Sequence, residues 1–221
     1  NTFMNLMGRG FKTFEDNSNL TYFGQLTFST NYLAQTFLQN GSFYAGYFHR
    51  NFNAQVGNVS SGIIGMPAAG NGVKGAYRVA GNHWAGAFYI KNPRLFGPAT
   101  RESFGATYRY NGNGIIRGRL ALGRGQDYVR QRNANIISGR GTIRVAPSHT
   151  VAFVGAVSSR SSTDPNSNIP VRQGFLVGAN YSGQYLDSDL STTISGRYQS
   201  PTFGLATNER RILNSRIRYS L

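Results

Sequence analysis

Gly114-Ile115-Ile116-Arg117-Gly118-Arg119-Leu120-Ala121-Leu122 is written in steps of two. An extended strand turns successive side chains to opposite faces, so Ile116, Gly118, Leu120 and Leu122 share one face. Arg117, Arg119 and Ala121 share the other. A ribbon that is apolar on one side and cationic on the other is the form required of a membrane-spanning β-barrel with a positively charged lumen.

The same asymmetry runs through the 221 residues. There are 23 Lys and Arg against 8 Asp and Glu, a formal net charge of +15. The basic residues recur within strand-like segments, on the more polar face. Glu15, Asp16, Glu102, Asp127, Asp164, Asp187, Asp189 and Glu209 fall mainly in connections or at strand ends. A charge this large has three common causes: nucleic-acid binding, an anionic surface partner, or an anion-conducting interior.

No run of about 18 apolar residues is present, so a transmembrane helix is excluded. Spanning strands need only about 9–11 alternating residues, so a membrane barrel is not excluded. The 39% hydrophobic content is low for a large soluble core but suits a wall that presents every second residue to lipid. The chain enters strand-like sequence almost at once and shows no signal peptide. We read it as a processed mature protein or a portion of something longer, with residues 1–221 forming a single barrel domain.

Alternation and turn chemistry predict fourteen strands, near 2–11, 20–29, 32–39, 42–50, 52–58, 73–80, 83–91, 102–110, 115–122, 135–146, 149–158, 173–183, 189–199 and 210–221. Twelve is the alternative count. Asn40-Gly41 reads as a type I′ hairpin turn. Gly81-Asn82, Asn111-Gly112-Asn113-Gly114 and Pro147-Ser148 read as further tight turns. From 59–72 onward, long connections (92–101, 123–134, 159–172, 200–209) alternate with short ones. Outer-membrane barrels have this rhythm of long outer loops and short periplasmic turns, whereas a Greek-key sandwich has no reason to produce it. Fourteen strands would put both termini on the short-turn side.

The face assigned to lipid carries Val73, Tyr77 and Val79; Trp84, Phe88 and Ile90; Phe104 and Tyr108; Ile116, Leu120 and Leu122; Ile137, Ile143 and Val145; Val151, Phe153 and Val157; Phe175 and Val177; Ile194 and Tyr198; and Leu213, Ile217, Tyr219 and Leu221. Trp84, Tyr108, Tyr110, Tyr198 and Tyr219 near strand ends suit interfacial girdles. The opposite face carries Lys74, Arg78, Arg109, Arg117, Arg119, Arg140, Arg144, Arg197, Arg216 and Arg218, together with His83, Thr107, Thr142, Asn180 and other polar residues. One arginine turned to mid-bilayer costs roughly 2–4 kcal/mol, so ten basic residues cannot face lipid. They are expected to line water. The shortage of acids means that mobile anions, rather than carboxylate struts, must relieve their repulsion.

Other chemistries are poorly supported. Gly65-Met66-Pro67-Ala68-Ala69-Gly70 has the opening spacing of a phosphate loop, but Asn71 stands where Lys is required. His49, His83 and His149 are too far apart for metal-ligand spacing, and without Cys there is no thiolate site. No metal or cofactor is expected, nor is an enzyme. Nucleic-acid binding would place bases and aromatics on one shared face, and here they mostly occupy opposite faces.

The whole chain resembles a bacterial outer-membrane β-barrel in its architecture. Its ending, Arg216-Ile217-Arg218-Tyr219-Ser220-Leu221, resembles the terminal strand recognised by barrel-assembly machinery, although Leu replaces the usual Phe. In size and basic lumen the chain is similar to small porins that pass acidic sugars. Gln55–Gly62 and Gly72–Arg78 are faintly similar to barrel segments of usher-type secretion pores. These resemblances imply the outer membrane of a Gram-negative-type bacterium, lipid and small anionic solutes as partners, and a homo-oligomer or larger membrane complex. The alternative functions are a protein or polysaccharide translocation barrel, or part of one, and a soluble basic β-protein that binds nucleic acid or builds a shell.

Overall fold

The computed structural model describes residues 2–30, 36–64, 69–92, 100–112, 114–164, 170–185, 189–205 and 209–219. Residues 32–35 of the third predicted strand, Gly65–Ala68, Asn113, Asp187 and the terminal Ser220-Leu221 lie outside them. Among the described residues all regular structure is extended. The thirteen strands are β1 (Thr2–Thr13), β2 (Asn19–Thr30), β3 (Thr36–Phe48), β4 (Phe52–Ser60), β5 (Ala69–Ala80), β6 (His83–Asn92), β7 (Arg101–Asn111), β8 (Ile116–Asp127), β9 (Arg132–Ala146), β10 (His149–Ser162), β11 (Arg172–Tyr185), β12 (Leu190–Gln199) and β13 (Arg210–Tyr219).

Each strand pairs antiparallel with its neighbour in the sequence, in unbroken order from β1 to β13. The all-β antiparallel architecture expected from alternation is the one found, with a strand count between the predicted twelve and fourteen. The sheet curls: one cavity is lined both by Phe48, Asn53 and Gln55 of β3 and β4 and by Ile212 and Asn214 of β13. Among the described residues no ladder joins β1 to β13.

Three expectations are corrected. Asn40-Gly41 is not a hairpin turn, because pairing with β2 runs through it from Thr36 to Phe48. The register shifts there: Thr27 pairs with Asn40 and Phe28 with Leu38. One extra residue is thus absorbed as a bulge, a place that tolerates turn-forming residues. Two predicted strands thereby merge into β3. With an odd number of antiparallel strands, β1 and β13 run in the same direction, so their outer ends do not share the short-turn side. Third, 123–134 is not a long connection: β8 continues to Asp127 and β9 begins at Arg132.

Register extends the alternation across the sheet. Val73, Leu120, Leu122, Ile137, Phe153, Val157, Val177 and Leu213 all lie exposed on the outer face. Strand β6 departs from the prediction. Phe88 and Ile90 are buried inside, and Trp84 shares their parity, opposite Arg78 and Arg109. Ala85, Ala87 and Tyr89 face outward in their place, and so does His83, packed on Tyr108 and Tyr110. Both parities of β6 carry apolar residues, so alternation alone could not choose between them.

At the end of β8, Asp127 is almost completely buried. Its Oδ2 accepts from Arg101 Nε at 3.0 Å, and its Oδ1 accepts from the Arg130 backbone N–H at 3.0 Å. It pairs in register with Arg101 on one side and Arg132 on the other, so one carboxylate stands between two guanidinium-bearing strands. Asp127→Asn should lower stability by about 1.5–3 kcal/mol, the range for a hydrogen bond to a charged group. The check is the midpoint of denaturant unfolding in vesicles. Arg211→Gln, which breaks the exposed Glu209 pair, should change stability by less than about 1 kcal/mol.

Candidate functional site

The inner face is organised in cross-strand rows. One row reads Arg78, Trp84, Arg109, Arg119, Arg140, Val154, Gly178, Arg197 and Ile212 from β5 to β13. Arg109, Arg119 and Arg140 stand directly opposite one another on three adjacent strands. Like charges in that relation are destabilising unless water or counter-ions intervene. A cavity of about 950 Å³ provides the space.

Six of the ten predicted residues line this cavity: Lys74, Arg109, Arg117, Arg119, Arg140 and Arg197. Arg144 instead lines a smaller cavity of about 520 Å³ beside Arg117, with Thr142, Thr150, Ser182 and Thr193. Arg216 pairs with Thr193 and Arg218 with Ser191, toward the short-turn end. Arg78 donates to the Gly81 carbonyl at the tight turn and Arg144 to the Pro147 carbonyl. Arg78, Arg216 and Arg218 are therefore not gathered into the large cavity.

Among the described residues none of the ten forms an ion pair; the pairs present are Lys91–Glu102, Arg101–Asp127 and Arg211–Glu209. Arg117, Arg140 and Arg197 also find no hydrogen-bond acceptor among those residues. Arg109 lies over the Trp84 ring at 5.2 Å, a cation–π contact. The chamber is therefore cationic, polar at its edges through Asn53, Gln55, Asn111, Asn180 and Asn214, and the guanidinium donors of Arg117, Arg140 and Arg197 remain available.

An apolar layer lies beyond the chamber, toward the long loops. Val59, Phe88, Ile90, Ala134, Ile136 and Leu176 point in from the wall and are buried. Two connections fold inward to meet them, bringing Ile63 from one and Phe203 and Leu205 from the other. The second connection is bolted down. Gly204 N–H donates to Ser158 Oγ at 2.8 Å, Phe175 N–H to Ser200 Oγ at 2.9 Å and Ser200 N–H to the Phe175 carbonyl at 3.0 Å. Its backbone rests on Gly174, where a Cβ would lie 2.5 Å from Phe203 Cα. The first connection is held by two chamber cations: Lys74 Nζ donates to the Ser60 carbonyl at 3.1 Å, and Arg119 donates to the Ser61 carbonyl. Gly62 sits at φ +64° with Arg119 against it, so both backbone angle and space favour glycine there.

The sequence reading missed Trp84 as a chamber residue, the inward loops, and four inward arginines at the long-loop end: Arg101, Arg132, Arg160 and Arg172. The parity was available. Arg132 is four residues before Ile136, Arg160 two after Ser158, and Arg172 two before Gly174. Strands drawn too short left these residues in loops.

No protein-family model and no curated protein matches the sequence. Among solved structures the chain is similar to OmpT, in-vitro folded, an outer membrane protein of Vibrio cholerae in its trimer form, with a TM-score of 0.46 and 12% identity over 97% of this chain and 90% of that one.

Gly174→Val should push the Ser200–Leu205 segment off its seat. Limited chymotrypsin digestion should then cut at Phe203, which is fully buried in the unaltered protein. Gly155→Ala, where an added Cβ meets nothing within 4 Å, should leave the digestion pattern unchanged.

Proposed function

We propose that this chain is an outer-membrane barrel of a Gram-negative-type bacterium that admits small anionic solutes to its arginine-lined interior. The observation that carries the reading is the Arg109–Arg119–Arg140 row, three arginines directly opposite one another on adjacent strands with no paired carboxylate among the described residues. The exposed apolar outer face supports a lipid setting: in water it would be a far larger apolar patch than soluble monomers tolerate. Low-dielectric walls around a single sign of charge concentrate counter-ions, and arginine rings are a general means of anion selection. Guanidinium groups grip carboxylate and phosphate in bidentate fashion. Several weak stations in one chamber allow release as well as capture.

The apolar layer makes this a gated passage. Releasing Phe203 forfeits about 1.5–3 kcal/mol of burial, in addition to the burial of Leu205 and the hydrogen bonds to Ser158 and the β11 backbone. Acidic sugars are one solute class that a carboxylate-binding chamber would accept, and a homo-oligomer is compatible with the apolar outer face.

In planar lipid bilayers the chain should give currents carried mainly by anions, read from the reversal potential in a salt gradient. The double variant Arg119→Glu/Arg140→Glu should move that potential toward cations, and Phe203→Ala should raise the fraction of time spent open. Cation selectivity in the unaltered protein would overturn the reading.

A further inference from the structure

We propose that the short-turn end of the interior holds an anion site of its own, in which Arg117, Arg144, Thr142, Thr150 and Ser182 bind the phosphate or sulfate group of a small soluble solute. All five line the cavity of about 520 Å³. They come from four adjacent strands, β8 to β11, at positions of inward parity. Arg117 pairs with Thr142. Thr150 pairs with Arg144 on one side and with Ser182 on the other. Arg144 follows Thr142 by two residues, so it stands diagonally across from Arg117, a relation of about 7–8 Å in an antiparallel pair. Register thus gathers two guanidinium groups and three hydroxyls into one patch.

The donors of this patch are open. Among the described residues no carboxylate pairs with Arg117 or Arg144. The hydroxyls of Thr142, Thr150 and Ser182 make no hydrogen bond to those residues either. Arg144 donates from Nε and one Nη to the Pro147 carbonyl, which fixes its guanidinium against the tight turn. The rest of its five N–H donors remain. One forked guanidinium already satisfies a carboxylate, and the other donors would then go unused. A phosphate monoester has three strong acceptor oxygens and a charge of about −1.5 to −2. That matches two guanidinium groups with rotatable O–H donors beside them.

The site reaches beyond the chamber. Arg117 and Thr142 line both cavities, whereas Arg144, Thr150 and Ser182 line the smaller one and not the chamber. It requires the water-filled interior but does not require the chamber to conduct. Inward parity turns the patch away from the apolar outer face, which selects a soluble source over a lipid headgroup.

The test is a calorimetric titration of the full folded chain in neutral detergent with inorganic phosphate. Thr150→Val removes a hydroxyl and leaves the charge unchanged. It should weaken one phosphate site by about tenfold or more, as loss of a hydrogen bond to a charged group implies. Thr150→Ser, which keeps the hydroxyl, should restore the affinity. Arg144→Gln should weaken the same site at least as much. Arg197→Gln, which alters the chamber and not this cavity, should leave its affinity unchanged. Circular dichroism checks the folding of each variant, and Ser182→Ala takes the place of Thr150→Val if that variant does not fold. Repeating the titration with vesicles containing an anionic phospholipid should leave phosphate affinity unchanged; competition by the lipid would assign the site to headgroups and overturn the soluble source. Absence of saturable phosphate binding would overturn the site. So would binding that is lost with Arg197→Gln and survives both Thr150→Val and Arg144→Gln. In either outcome the chamber reading would still stand on its own test, ion selectivity.

Discussion

Three arginines on adjacent strands at opposing positions, Arg109, Arg119 and Arg140, set the terms for the rest of the molecule. Antiparallel register places these residues at adjacent positions of one row, so the separation of their backbones is fixed by strand spacing. They cannot be packed dry without a carboxylate for each, and the described residues do not place one against them. A water-filled space is the remaining solution, and the 950 Å³ chamber provides it. Period-2 alternation then sends Leu120, Leu122, Ile137 and Val145 the other way. A slip of one residue in any strand would exchange the two faces, so the cationic interior and the apolar exterior stand or fall together.

The interior is nevertheless not a uniform cationic tube. Moving along β9 from its start, the inward residues are Arg132, Ala134, Ile136, Ser138, Arg140, Thr142 and Arg144. This runs from charge through a dry stretch and back to charge. On β11 the same path reads Arg172, Gly174, Leu176, Gly178, Asn180 and Ser182. Small residues in the middle of both strands leave room that the wall itself does not fill. Phe203 and Leu205 fill it from a connection, and Gly174 lets that backbone approach where any side chain would collide.

Much of this was legible from residue types alone. The β7–β8 and β9–β10 hairpins follow from Asn111-Gly112 and Pro147-Ser148, and the outward and inward sets of β8 follow from Ile116, Leu120 and Leu122 against Arg117 and Arg119. The failures have physical causes. In β6 apolar residues occupy both parities, and only the presence of a dry layer inside decides that Phe88 and Ile90 turn inward. Asn40-Gly41 is a strong turn signal in isolation, yet continued pairing with β2 overrides it. The inward loops could not be inferred, because Ser61-Gly62-Ile63-Ile64 and Pro201-Thr202-Phe203-Gly204-Leu205 have loop composition. Their one clue is the presence of Ile63, Phe203 and Leu205 in otherwise polar connections. Large apolar residues in a loop incur an exposure cost unless the loop folds back.

The two inward connections are fastened by different chemistries, and the difference bears on how the interior responds to its contents. The Ser200–Leu205 segment is tied to neutral groups, Ser158 and the β11 backbone, which an anion in the chamber does not contact. The Ser61–Ile63 segment is tied by Lys74 and Arg119, both of which line the chamber. A solute anion there would draw on the same ammonium and guanidinium donors that hold the Ser60 and Ser61 carbonyls. Any coupling between chamber occupancy and the seating of that connection must be reciprocal. A displaced connection frees donors for the anion, and a bound anion weakens the connection's hold. The hydrophobic contacts of Ile63 oppose both. Arg119 thus stands at the centre of the cationic row and also at the hinge between that row and the apolar layer above it.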